Sequence, residues 1–122
     1  MKRSSFSYIS KDKRPWGEYF VIHDEKNYKI KRIEVNPSSR LSYQYHNGRA
    51  ETWIIINGKA RVIIDGSSEL YEAGDTILIP RKSKHRIENI TDEILVFIEI
   101  QTGDYFDEDD IIRLEDDYNR LQ

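Results

Sequence analysis

The sequence predicts a single all-β domain, either a sandwich or a barrel, and three features lead there. Short apolar or β-branched segments succeed one another along the 122 residues. Turn residues punctuate them at close spacing. No segment sustains the 3.6-residue period of a long helix, and strands this short at this spacing belong to sandwiches and barrels. A chain of this length has room for one core and not two.

Each element follows in order. Glu18–Ile22 and Tyr28–Val35 form a first pair across the polar turn 23–27. Pro37-Ser-Ser interrupts the chain, and Leu41–His46 resumes in extended form. Trp53–Ile56 and Ala60–Ile64 flank Asn57-Gly58, which reads as a tight hairpin because both residues tolerate positive φ. Asp65-Gly66 marks another turn, before the short strand Glu69–Tyr71. Gly74-Asp75 turns again into Thr76–Ile79, which Pro80 ends, and His85–Glu88 and Ile94–Ile100 complete the series. Beyond them, Asp107 or Glu108 is positioned to cap a short helical turn through Ile111, Ile112 and Leu114. The expected organisation is an N-terminal arm at 1–13, a β-barrel at 14–103 and an acidic segment at 104–122.

Composition narrows the chemistry. There is no cysteine, which excludes disulfides, thiolate metal sites and cysteine nucleophiles. No run approaches the roughly 20 apolar residues that cross a bilayer, and the basic N-terminus lacks the apolar core of a signal peptide. A cytoplasmic protein with no membrane partner is the expectation. The net charge of −3 is uneven: eight acidic residues from Asp104 onward face only Arg113 and Arg120. The remaining body is mildly basic, with clusters at Lys29-Ile-Lys-Arg32 and Arg81-Lys-Ser-Lys-His-Arg86. That suits a small anionic ligand and is too weak for nucleic acid.

Candidate metal ligands emerge from strand geometry. Alternate residues share a face, so Gln44 and His46 point together, as do Glu51, Trp53 and Ile55, and His85, Ile87 and Asn89. If those faces line one interior, Gln44, His46, Glu51 and His85 converge. Two imidazoles, a carboxylate and an amide oxygen leave coordination positions open, as catalytic sites do.

The spacing resembles the two cupin motifs. Gly58 follows Glu51 as the first motif requires, with Ser38 at its glycine and Gln44 at its first histidine. Gly74-x5-Pro80-x4-His85-x3-Asn89 fits the second, with Lys82 at its other glycine. Further segments, among them Arg14-Pro-Trp-Gly17, Arg49-Ala-Glu51, Arg86, Ile98-Glu-x-Gln101 and Glu108-Asp-Asp-Ile-Ile-Arg113, resemble the type II mannose-6-phosphate isomerase domain. In that family the domain usually follows a mannose-1-phosphate guanylyltransferase domain; here it is expected to stand alone. Asn47, Gly48 and Thr52 occupy positions where the family commonly has further histidines.

The resemblance implies a single-domain cupin, a jelly-roll barrel, that binds one divalent metal. Zinc is the first expectation, with manganese, iron, nickel or cobalt as alternatives. It implies interconversion of mannose 6-phosphate and fructose 6-phosphate, in nucleotide-sugar and polysaccharide biosynthesis, by a homodimer. Such a reaction needs a metal to polarise a sugar oxygen, a base to move a proton between C1 and C2, and cations to hold the phosphate. Glu99 is the candidate base, with Lys31 as the alternative catalytic group. Arg49, Arg86, Lys31, Trp53 and Gln101 are candidate substrate contacts. Two other readings stand beside this one: a non-catalytic sugar-binding or regulatory cupin, and an iron dioxygenase, which glutamine in place of a histidine ligand disfavours.

Overall fold

The computed structural model describes residues 5–120. Eleven strands form two antiparallel sheets packed face to face, the jelly-roll architecture expected. The strands are β1 (Ser10–Arg14), β2 (Gly17–Asp24), β3 (Tyr28–Val35), β4 (Tyr43–Tyr45), β5 (Arg49–Asn57), β6 (Lys59–Ile64), β7 (Ser67–Glu72), β8 (Thr76–Ile79), β9 (His85–Asn89), β10 (Leu95–Gly103) and β11 (Ile112–Glu115). One sheet runs β1-β2-β3-β10-β5-β8 and the other β11-β4-β9-β6-β7.

The interior divides along its strands. On β10 the inward residues Leu95 and Phe97 are apolar, and the next two, Glu99 and Gln101, are polar; all four are buried. On β5, Glu51 precedes Trp53 and Ile55, and on β3, Lys31 precedes Ile33 and Val35. Antiparallel register aligns these changes, since Glu99 lies opposite both Lys31 and Trp53, and Gln101 opposite Glu51. One end of the barrel is therefore a dry core of Ile33, Ile55, Val62, Ile77, Ile87 and Phe97. Each such side chain contributes about 1.5–3 kcal/mol of hydrophobic stabilisation. The other end is lined with buried charge. Asn89 ties the dry end shut: its Nδ2 donates to the carbonyls of Val35 and Glu93, at 3.0 and 2.7 Å, and its Oδ1 accepts from Thr91.

Three expectations change. The helical turn through Ile111, Ile112 and Leu114 is not formed. A three-residue 3-10 turn, Glu108–Asp110, leads instead into β11, which pairs with β4. Consecutive β-branched isoleucines disfavour helix, and β4 offers an open edge. Residues 10–13, expected within an arm, pair with β2 as part of β1. Asn57-Gly58 is not a hairpin, because β5 pairs with β10 and β8 while β6 pairs with β7 and β9. The turn carries the chain from one sheet to the other. A two-residue hairpin forms instead at Asp65-Gly66, whose φ of 48° and 85° are those of a type I′ turn, closing β6 onto β7.

Ser38 and Lys82, the residues at the two glycine positions of the cupin motifs, both adopt left-handed backbone, with φ of 57° and 66°. A side chain there costs about 1–2 kcal/mol, and glycine's larger loss of freedom on folding offsets about half of that. Lys82→Gly is expected to stabilise the protein by up to about 1 kcal/mol, raising its melting temperature by about 2–4 °C. A thermal melt with no rise would show that the loop is not strained at this residue.

Candidate metal centre

Among the described residues, His46, Glu51 and His85 form a buried cluster whose ligand atoms all lie within 4.8 Å of one another. Three elements supply them: the loop after β4, strand β5 and the start of β9. Gln44 of β4 is in register with His85, so both side chains project from one sheet face, and its Oε1 accepts from Ser42 Oγ at 3.2 Å. Arg113 of β11 extends that row, opposite Gln44.

Both imidazoles are oriented by backbone. His85 Nδ1 lies 2.9 Å from the Ser83 carbonyl oxygen, and His46 Nδ1 lies 3.2 Å from that of Asp110. A carbonyl only accepts, so each Nδ1 carries the proton and each Nε2 presents a lone pair to the cluster. His85 Nε2 is buried without a hydrogen-bond partner, 4.0 Å from Glu51 Oε1. A buried, unsatisfied imidazole nitrogen aimed at a carboxylate is what a metal ligand presents. The donor set fits a divalent ion: neutral imidazole nitrogens with a carboxylate suit zinc, manganese or iron. Burial pushes the His85 pKa down, with Glu51's charge opposing, which favours the neutral form that a metal requires.

Glu51 is the centre of this geometry. Its Oε1 accepts from Trp53 Nε1 at 2.9 Å, and its Oε2 accepts from Arg49 Nε at 2.9 Å and lies 3.2 Å from His46 Nε2. Burial works to raise its pKa. The adjoining His46 imidazole and the charge of Arg49 outweigh that and hold it well below the ordinary carboxylate range.

Next to the cluster opens a small pocket, partly open to solvent. Gln44, Arg49, Lys31 and Glu99 face it, with Arg14, Arg113 and Arg120 around them. Glu99 accepts from Gln101 Nε2 at 2.7 Å. Burial, then the charge of Glu51 and a hydrogen bond to it, push the Glu99 pKa up to about 8, against the opposing charges of Lys31 and Arg49. Lys31 is buried, its Nζ 4.2 Å from the centre of the Tyr19 ring.

Other candidate contacts are elsewhere. Arg86 does not reach the pocket: as the residue after His85 it projects from the other face of β9. There it donates to the carbonyls of Leu41 and Glu115, at 2.8 and 3.1 Å. Trp53 is a core residue that orients Glu51 and packs edge-on against His85. Arg49 sits on the ligands themselves, buried, and not at a rim. The sequence reading missed Arg14, Arg113 and Arg120 as pocket residues, although Arg14 and Arg113 lie in the motifs quoted for the resemblance.

The fold and this centre define a cupin with a candidate metal site. The model of the mannose-6-phosphate isomerase C-terminal family matches residues 2–116, and the chain belongs to that family. It is 43% identical over 108 residues to mannose-1-phosphate guanylyltransferase ManC of Salmonella typhimurium, covering 88% of this chain and 22% of that protein. It is 43% identical over 107 residues to the alginate biosynthesis protein AlgA of Pseudomonas aeruginosa, again covering 88% and 22%. The chain thus spans about a fifth of the length of these relatives. Among solved structures, an oxalate decarboxylase mutant from Bacillus subtilis superposes with a TM-score of 0.74 at 26% identity, over 87% of this chain and 30% of that one. A second B. subtilis oxalate decarboxylase structure, from work on its Mn(II) centres, has a TM-score of 0.71 at 28% identity, over 84% of this chain and 29% of that one. The Schizosaccharomyces pombe Cnp3 cupin domain shares the fold, with a TM-score of 0.69 at 15% identity over 71% of this chain and 64% of that one. No helix among the described residues is long and apolar enough to cross a membrane.

Replacing either histidine removes a ligand outright. His46→Ala and His85→Ala are each expected to weaken metal binding by more than the roughly 10–100-fold that loss of an outer hydrogen bond costs, with Gln44→Ala milder. Elemental analysis after dialysis against metal checks this, and full occupancy in both histidine variants would refute the site.

Glu99 and Glu51 predict opposite pH responses in the metal-free protein. Glu99 keeps its proton in the folded state above the pH at which the unfolded chain releases it. Its contribution is complete below the ordinary glutamate pKa and drains away as pH rises through about 8. Glu51, held ionised, contributes above the ordinary pKa and loses that as pH falls. Melting temperature in chelator is expected to decline between about pH 5 and pH 8.5, with the slope much reduced in Glu99→Gln. Equal slopes in the two proteins would refute the shifted carboxyl.

Proposed function

We propose that this domain isomerises a phosphorylated sugar, with mannose 6-phosphate and fructose 6-phosphate as the first candidates, in nucleotide-sugar or polysaccharide biosynthesis. One observation carries the reading: a buried carboxyl group, Glu99, adjoins a candidate metal cluster and faces a pocket lined by arginines and Lys31. That juxtaposition offers a base and an anion-binding wall in one cavity, with a Lewis-acid position beside it.

The residues divide the work as follows. His46, Glu51, His85 and Gln44 would hold a divalent ion, zinc first, with manganese, iron, nickel and cobalt as alternatives. Such an ion would polarise the sugar oxygen at C1 or C2. Arg14, Arg113 and Lys31 hold the phosphate; a guanidinium matches it with two parallel hydrogen bonds. Glu99, as carboxylate, takes the proton from C2 and returns it to C1, while another proton passes between O1 and O2, so nothing is oxidised overall. A base with a pKa near the working pH transfers a proton in both directions, which isomerisation requires. Gln101 orients that carboxyl group through its hydrogen bond. A cytoplasmic homodimer belongs to the same reading. Ile56 and Leu78, both well exposed on the outer face of the six-stranded sheet, support the homodimer.

One observation favours a second reading. Arg49 already satisfies His46 and Glu51, an arrangement that would also serve a sugar-binding or regulatory cupin without catalysis. Assay of the metal-loaded protein on hexose 6-phosphates separates the two. Interconversion is expected, and Glu99→Gln is expected to lower kcat by about 100-fold or more with little change in KM. Full metal occupancy with no turnover of any hexose phosphate would overturn the isomerase in favour of the binding protein. Light scattering on the same preparation checks the dimer.

A further inference from the structure

Arg49 uses the lone pairs that a metal ion at this centre needs. Its Nη2 lies 3.2 Å from His46 Nε2, and its Nε donates to Glu51 Oε2 at 2.9 Å. His46 carries its proton on Nδ1, so Nε2 has a single lone pair. That lone pair cannot accept from a guanidinium and coordinate a cation at once. The guanidinium is also permanently charged, and a dication among the same donors would meet it at contact distance with no water between. A charge pair of like sign in a buried site is strongly unfavourable.

The same side chain also faces the adjacent pocket, which Lys31, Arg14 and Arg113 also line, while Arg120 at its edge is paired with Asp116 and Arg14 reaches Asp12. A guanidinium displaced from the cluster has that pocket beside it. Turning there is opposed by the cations of the pocket, Lys31 and Arg113 foremost, and an anion among them reverses the sign. We propose that Arg49 and a divalent metal exclude one another at His46 and Glu51, and that metal entry turns the Arg49 fork into the pocket to bind an anion. Metal loading and anion binding are thereby coupled through one residue. The proposal rests on the metal reading of the cluster and goes beyond it. By linkage, an anion in the pocket strengthens metal binding by the factor by which the metal strengthens anion binding.

The test titrates manganese(II) alone, by calorimetry, into wild-type protein, Arg49→Ala and Arg49→Met, each with and without inorganic phosphate. Arg49→Met keeps the apolar stem of the side chain and covers the case in which the alanine variant does not fold. In the wild type, phosphate is expected to raise manganese affinity by at least about fivefold, the lower end of ordinary coupling. In phosphate-free buffer both variants are expected to bind manganese on the order of tenfold more tightly than wild type, since a charge-assisted competitor is gone. Phosphate should then have little effect on them. Folded variants that bind manganese no more tightly than wild type would overturn mutual exclusion, as would a wild-type affinity indifferent to phosphate. Failure of the metal reading is distinct: wild type and His46→Ala would then bind manganese equally, or neither would bind it.

Discussion

Glu51 is an ionised carboxylate with almost no exposure to solvent, and an isolated charge so buried would cost far more than a small domain can spare. The polar end of the barrel is arranged around that constraint. Trp53 reaches down from the core to donate to one oxygen, and Arg49 and His46 meet the other. Breaking such a group by removing one partner is more damaging than its net stabilisation suggests, because it strands the charge. Glu99 feels the constraint at second hand. With Glu51 ionised beside it, a second buried carboxyl group keeps its proton well above the ordinary range. The acid–base character of the pocket is thus set by burial and, after it, by a residue that does not face the pocket.

The acidic C-terminal segment belongs to this arrangement. Asp110 accepts the His46 Nδ1 proton on its backbone oxygen, while its carboxylate accepts from the amides of Asn47 and Gly48, at 3.1 and 2.8 Å. Residue 48 has to be small for this seat: a Cβ there would lie 2.8 Å from Tyr105 Cβ and 3.1 Å from Asp110 Oδ2. Farther along, Arg40 grips Asp117 with two hydrogen bonds of 2.7 and 2.8 Å and also reaches Glu88. These contacts bring Arg113 and Arg120 to the pocket.

Much of this was legible in the sequence, and the failures have physical reasons. The central strands announced themselves through apolar alternation between turn residues, and period two correctly put Glu51 on the face of Trp53 and Ile55. Strands β1 and β11 were missed because edge strands need no apolar alternation; Ser10–Arg14 is almost wholly charged. Asn57-Gly58 signalled a tight reversal, but a turn signal does not say which strands pair. Arg86 was grouped with His85 by proximity in sequence, although neighbours on a strand face opposite ways. The same rule places Arg49, two residues before Glu51, on the ligand face, so its position could have been read. The hydrogen bond from His46 to Asp110 spans 64 residues and has no local signature.

The dispersal of the centre along the chain bears on how the domain reaches its native state. Its groups come from β4 and the loop after it, β5, β9, β10 and the turn at Asp110, and the full set does not meet until both sheets have closed. Topologies ruled by such distant pairings fold slowly, since chain entropy is lost before the contacts that reward it form. A metal ion cannot act as the seed of collapse here, as it does in a zinc finger. During folding it would meet scattered imidazoles and carboxylates with no preformed geometry, so an ion held at this site would be acquired as a last step. Metal content would then report on the fraction of molecules that have completed the barrel, and a refolding reaction followed by metal uptake would track its slowest phase.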